Sequence, residues 1–134
     1  MQEVKRVSVT AAAEKNIFLL KSDYGLLLFH QSGGCCDGSA PMCYPIDDFK
    51  LGNSDVYLGA IAECPFYMSV SQFEYWQHTH LIIDVVKGRG SGFSLEAPMG
   101  VRFLTRSRLF NDEENQILKK MQAPKRGPQT IIGK

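Results

Sequence analysis

The chain has 134 residues, of which 44% are hydrophobic and 22% charged, and its formal net charge is +1. This length and composition are typical of one globular domain, and the small net charge excludes the long-range field that favours nucleic acid or acidic membrane surfaces. No run of about 18 apolar residues occurs and the N-terminus lacks the apolar core of a secretory signal, so we expect a cytoplasmic protein that binds neither nucleic acid nor a membrane.

The first half of the chain predicts a helix, a strand and a loop, in that order. Thr10 is a typical N-cap for a helix over residues 11–24, which Gly25 ends. The apolar run over residues 26–31 then predicts a buried strand. The glycine-rich segment that follows, up to Pro45, predicts a loop.

The second half predicts mostly strands. Alternating residues from Asp55 onward, followed by an apolar run after Pro65, predict a β-hairpin with a proline-containing turn. Ser71 is placed to begin a short helix, and the branched residues of HLIIDVVKG predict the most β-prone strand. Two more strands are predicted, over residues 93–96 and in GVRFLTRSRLF, before a last helix that begins at Asn111.

These elements predict a mainly β fold, a two-sheet sandwich or open barrel that is mostly antiparallel, with short peripheral helices. The strands follow one another without the long helices that parallel βαβ units require. We expect a single domain over residues 1–121 and a basic tail with proline and glycine over residues 122–134.

Three of the four cysteines, Cys35, Cys36 and Cys43, lie in the predicted loop, and His30 ends the strand before it. Thiolates and neutral imidazole bind zinc and iron, and a glycine-rich backbone can fold around an ion. Adjacent cysteines bridge each other only with strain, because neighbouring Cα atoms are about 3.8 Å apart. We therefore expect reduced thiols that hold a metal ion, or else small buried residues in a tight turn.

A thiol function without a metal is an alternative for the same loop. Cys35 or Cys36 would be a nucleophile or redox thiol with a lowered pKa, and His30 or His78 would act as its base. Glu74 and His78 are further candidate metal ligands, since a helix through both would place them on one face. For such a pair, an ordinary surface or core histidine is the commoner outcome.

Three segments together resemble one bacterial family, called domain of unknown function 779. They are LLFHQSGGCCDGSAPMCYP, ECPFYMSVSQFEYWQHT and LIIDVVKGRGSGFSLEAPMGVRFLTRSRLF, and they cover nearly all of the chain before Asn111. Members are often encoded beside aldehyde dehydrogenases, so the resemblance implies such an enzyme as a partner. The chain itself is too short to be one, because a dehydrogenase needs a nucleotide-binding and a catalytic domain.

A more distant resemblance is to the HesB-like A-type iron-sulfur carriers. It rests on Thr10 to Ala13, on Gly33-Gly34-Cys35, on Ile83-Asp84, and on the Gly-x-Gly-Phe stretch at residues 90–93. This order of motifs implies a HesB-like fold and places the first cysteine of that family at Cys35. The carriers have a Cys-Gly-Cys pair after the next proline, which this chain lacks, and that difference speaks against an iron-sulfur cluster.

The sequence therefore predicts a small accessory protein whose cysteine-rich loop binds zinc or iron or serves as a redox thiol, linked to an aldehyde dehydrogenase. Whether it is an enzyme stays open, with a non-enzyme favoured. The alternative is a non-catalytic interaction module with a purely structural loop. Because related folds self-associate, we also expect a homo-oligomer.

Overall fold

A computed structural model describes residues 4–31, 40–88, 94–121 and 123–127. Within these ranges the chain forms seven strands and three α-helices. They are β1 (Val7–Val9), α1 (Ala11–Tyr24), β2 (Leu27–Gln31), β3 (Met42–Pro45), β4 (Asp55–Ile61), β5 (Cys64–Ser69), α2 (Val70–Trp76), β6 (Thr79–Lys87), β7 (Val101–Leu109) and α3 (Asp112–Lys120). Among the described helices, none has the length and apolar character needed to cross a membrane.

The strands form two sheets, and each contains one parallel pair. The three-stranded sheet has the order β1-β6-β7, with β1 parallel to β6. The four-stranded sheet has the order β3-β2-β5-β4, with β2 parallel to β5. Two sheets were predicted and are present, but the fold is mixed α/β rather than mostly antiparallel, and it is not clearly HesB-like. Each parallel pair joins strands that are far apart in the sequence, so no local sequence pattern predicts the pairing.

One hydrophobic core includes residues from both sheets and from α1. Ile17 and Leu20 of α1 are buried in it, and the ring of Phe29 contacts the ring of Phe103 edge-on, with centroids 5.2 Å apart. A buried hydrogen bond also joins the sheets, because Thr105 Oγ1 donates to Gln31 Oε1 at 2.7 Å. The inner faces of β2 and β7 are therefore fixed against each other.

The helix boundaries follow their capping residues. Thr10 caps α1 by accepting a hydrogen bond from the Ala13 N–H, and Gly25 ends the helix with a φ of 81°, as predicted. Asn111 begins α3 in a capping box. The helix α2 begins earlier than predicted, because Ser69 rather than Ser71 is its N-cap and accepts from the Gln72 N–H.

Other local predictions were wrong. The predicted loop contains β3, the hairpin turns at Ala62 and Glu63 while Pro65 lies within β5, and residues 94–96 form turns before a 3-10 helix, Ala97–Met99. The strand β1 was not predicted either. Strands of three or four residues are too short to show an alternating pattern, and only their pairing partners stabilise them.

Candidate functional site

His30 is a predicted site residue that lies on the outer face of the four-stranded sheet. Side chains alternate along a strand, so His30 points away from the core that contains Phe29. It is 3% exposed, and its Nε2 atom lies 2.7 Å from Asp55 Oδ1. The imidazole also stacks on Phe49, with ring centroids 4.5 Å apart. A carboxylate and an aromatic ring therefore fix its position.

Asp55, the first residue of β4, is itself held in place by backbone groups. Its Oδ2 accepts from the Gly52 N–H at 2.9 Å, and its own N–H donates to the Gly52 carbonyl at 3.0 Å. An ionised carboxylate only accepts hydrogen bonds, so Nε2 of His30 carries the proton in this pair. The arrangement is that of a carboxylate-oriented histidine, which occurs at both catalytic and metal sites.

Residues 123–127 cover the face of the four-stranded sheet that holds His30. Tyr67, which pairs with His30 between β2 and β5, is fully buried, and its hydroxyl donates to the Gly127 carbonyl at 3.0 Å. The Tyr57 N–H donates to the Lys125 carbonyl at 2.8 Å. This segment thus runs along β4 and closes one side of the site.

Cys43 lies on the other face of the sheet from His30. It pairs with Phe29 between β2 and β3 and is fully buried. Burial, together with the nearby Glu96 and Cys64, raises the pKa of the Cys43 thiol. Burial likewise raises the pKa of the Cys64 thiol to about 11. Neither cysteine readily forms a thiolate at neutral pH.

The predicted residues Cys35 and Cys36 lie outside the described residues. The strands on either side of their segment, β2 and β3, pair at His30 and Met42. Five residues of extended chain span at most about 18 Å, which limits the distance between the Cα atoms of His30 and Cys35. In the sequence, Cys35 and Cys36 follow His30 by five and six residues.

Glu74 and His78 do not share a helix face. Glu74 lies on α2, which ends at Trp76, and His78 lies in the turn before β6, where it lines a cleft with Arg6. Throughout residues 4–31, 40–88, 94–121 and 123–127, no three His, Cys, Asp or Glu side chains are grouped so that they could hold a metal ion. Asp55 and Phe49 are among the residues that contact His30.

Sequence reasoning missed Asp55 as a site residue. It lies 25 positions from His30 and comes beside it only because β5 pairs with β2 on one edge and with β4 on the other. The residues Gly-Asn-Ser before Asp55 are typical of a turn in which an Asp side chain accepts from the backbone. That local signal indicates the turn but not the histidine.

A family model described as Domain of unknown function (DUF779) matches residues 16–109. The matched region includes His30, Asp55 and all four cysteines. Comparisons with curated proteins and with solved structures found no match. The match thus covers well over half of the chain and contains the whole His30–Asp55 site.

Proposed function

The chain belongs to the domain of unknown function 779 family, and from this premise we propose that it is a thiol protein whose functional group is Cys35 or Cys36 and whose base is the His30–Asp55 pair. The observation that supports the proposal is the 2.7 Å contact between His30 and Asp55, next to the end of β2. The proposed role is that of an accessory redox thiol rather than of an enzyme in its own right.

The chemistry follows from the pair. The carboxylate orients the imidazole to accept the proton of a thiol, and an imidazolium beside a thiol lowers the pKa of that thiol. The thiolate is the form that attacks a disulfide. Since His30 is 3% exposed and Asp55 Oδ2 is already bonded to Gly52, little rearrangement is needed to keep the pair oriented.

The assignment to Cys35 and Cys36 rests on the environment of the other two cysteines. Cys43 and Cys64 are buried, and the pKa of each thiol is raised. A disulfide between the neighbours Cys35 and Cys36 would be strained. We therefore propose that the thiolate of one of them attacks one sulfur of a disulfide in a partner protein. The S–S bond of the partner breaks, a mixed disulfide forms with the attacked sulfur, and the other partner sulfur leaves as a thiolate that takes up a proton.

Metal binding is the alternative use of the same residues. Imidazole from His30, oriented by Asp55, and thiolates from Cys35 and Cys36 would be a donor set suited to zinc or iron. Cys43 faces the core, so it does not belong to this set. A complete site with four protein ligands would need one more.

Alkylation with iodoacetamide, mapped by mass spectrometry, tests the thiol proposal. We expect Cys35 or Cys36 to react in native protein well below pH 8.5, the approximate pKa of an ordinary thiol, while Cys43 and Cys64 react only after unfolding. Single serine variants of Cys35 and Cys36 identify the reactive residue, and Cys64→Ser is the control. Reaction of every cysteine only near or above pH 8.5 would rule out an activated thiol.

Metal analysis of untagged protein, purified without oxygen, distinguishes metal binding from a thiol function without a metal. About one equivalent of zinc or iron, lost in Cys35→Ser, would support the metal version. Less than about one-tenth of an equivalent would count against it.

A second candidate function is an interaction module that self-associates through α1. Phe18 and Leu19 are 49% and 53% exposed, whereas Ile17 and Leu20 of the same helix are buried. Apolar side chains thus occur on both sides of α1. This pattern is typical of a helix that is covered on two faces.

The charges on the exposed side of α1 fit a second copy of the same helix. Lys15 and Asp23 are both exposed, four residues before and four residues after Leu19. In an antiparallel pair with a two-fold axis at Leu19, Lys15 lies at the height of the partner's Asp23, about 6 Å from the centre. The second copy therefore supplies both an apolar contact and two ion pairs.

Light scattering coupled to size-exclusion chromatography tests this surface. We expect a dimer that Leu19→Glu dissociates, whereas Leu109→Glu, at a residue that is 74% exposed on β7, leaves it intact. Lys15→Glu should weaken the dimer, and adding Asp23→Lys should restore it. A monomer at every concentration, or a dimer insensitive to Leu19→Glu, would exclude self-association through α1.

The partner proposal, an aldehyde dehydrogenase, derives from the family resemblance alone. Mixing the chain with an aldehyde dehydrogenase from the same organism should give a complex. If a mixed disulfide holds that complex, Cys35→Ser with Cys36→Ser abolishes it, and so does dithiothreitol. A complex that survives both treatments would instead be held by a non-covalent surface.

A further inference from the structure

A polar cleft lies between one face of α3 and the turn that joins α2 to β6. It has a volume of about 590 Å³, and its lining includes Arg6, His78, Asn115 and Lys119. Small-molecule sites have volumes of about 300–1,000 Å³. Neither His30 nor Asp55 lines the cleft, so it is separate from the proposed thiol site.

Arg6 is a half-buried cation at this cleft. Its Nη1 donates to the Gln77 carbonyl at 3.0 Å, and its guanidinium carbon lies 5.2 Å from the centroid of the Phe73 ring. These contacts fix one edge and one face of the guanidinium. In the described ranges no carboxylate forms an ion pair with it, and burial lowers its pKa. A partly desolvated arginine without an acidic partner favours the binding of an anion.

Other side chains at the cleft are also available to a ligand. His78, Asn115 and Lys119 make no side-chain hydrogen bond or ion pair with any residue that the structure describes. Asn115 and Lys119 are four residues apart, so they lie on one face of α3. Two permanent cations, Arg6 and Lys119, line the cleft against one carboxylate, Asp112. The balance of charge favours a ligand with a single anionic group.

We propose that this cleft binds a small molecule through a carboxylate or phosphate group, with Arg6 as the anchor and Lys119 and His78 beside it. Arg6 presents N–H donors in a fixed plane, which suits the paired oxygens of either group. Asn115 would bind a neighbouring hydroxyl or carbonyl of the same ligand. The carboxylate of Asp112 disfavours a second anionic group.

Proton NMR of the His78 ring tests the proposal, with the signal assigned from His78→Asn. Separate titrations with inorganic phosphate and with acetate, at constant ionic strength, distinguish the two kinds of group. We expect a saturable shift with at least one of the two anions. In Arg6→Gln, binding should be about tenfold weaker, because a bidentate contact is lost. The matched control is Lys120→Gln, since Lys120 neighbours Lys119 but does not line the cleft.

If Arg6→Gln fails to fold, Lys119→Gln is the test variant. It should weaken anion binding, whereas Lys120→Gln should not. Shifts that never saturate with either anion would overturn the proposal. So would equal binding by wild type, Arg6→Gln and Lys119→Gln. Because this readout needs no cysteine, it is independent of the alkylation and metal measurements.

Discussion

The side chain of Glu96 is only 1% exposed and lies near β3 and β7. It accepts a hydrogen bond from the Ser94 hydroxyl, and the backbone N–H groups of Glu96 and Phe103 also favour its charged form. Ser94 Oγ in turn accepts from the Cys43 N–H at 2.8 Å. Burial raises the pKa of Glu96 above its usual 4.5, because these hydrogen bonds only partly offset the cost of burying the charge.

The raised pKa of Glu96 predicts a pH dependence of stability. The folded state binds this proton more tightly than the unfolded chain does, so the contribution is complete below about pH 4.5 and is lost as the pH rises through the folded value. We expect wild type to lose stability relative to Glu96→Gln as the pH rises above about 4.5, measured by urea unfolding. Glu113→Gln, at an exposed residue of α3, is the control. A difference between wild type and Glu96→Gln that does not change with pH would contradict this account.

At the scale of an element, the hairpin of β4 and β5 turns through two residues with positive φ. Ala62 has a φ of 48° and Glu63 a φ of 67°. This left-handed backbone costs about 1–2 kcal/mol per residue other than glycine, which is why such turns favour Asn-Gly. Lys21 of α1 supports the turn, since its Nζ donates to the Ala62 carbonyl at 3.2 Å and to the Glu63 carboxylate at 3.1 Å.

We therefore expect Glu63→Gly to stabilise the protein by about 1 kcal/mol, measured by urea unfolding. The ion pair that it removes contributes little, because the Glu63 side chain is 84% exposed. Glu63→Ala removes the same ion pair without relieving the backbone and is the matched control. If the glycine variant is no more stable than the alanine variant, the turn is not strained.

At the scale of the whole molecule, the elements predicted correctly are those with a local signal. Thr10 and Gly25 mark the ends of α1, and Asn111 marks the start of α3. The strand β3 and the parallel pairs depend on contacts between distant segments, which a periodic pattern does not encode. For the same reason His30 was predicted from its place after an apolar run, whereas Asp55 required the strand order of the sheet.

In the proposed function, the His30–Asp55 pair activates a thiol of Cys35 or Cys36. The most direct test is the pH dependence of alkylation at these cysteines in wild type, Asp55→Asn and Asp84→Asn. The control is matched, because Asp84 is also hydrogen-bonded, to Thr10 and Arg106, but belongs to the other sheet. We predict that Asp55→Asn raises the midpoint of alkylation by about one pH unit and that Asp84→Asn leaves it unchanged. An unchanged midpoint in correctly folded Asp55→Asn would contradict the claim.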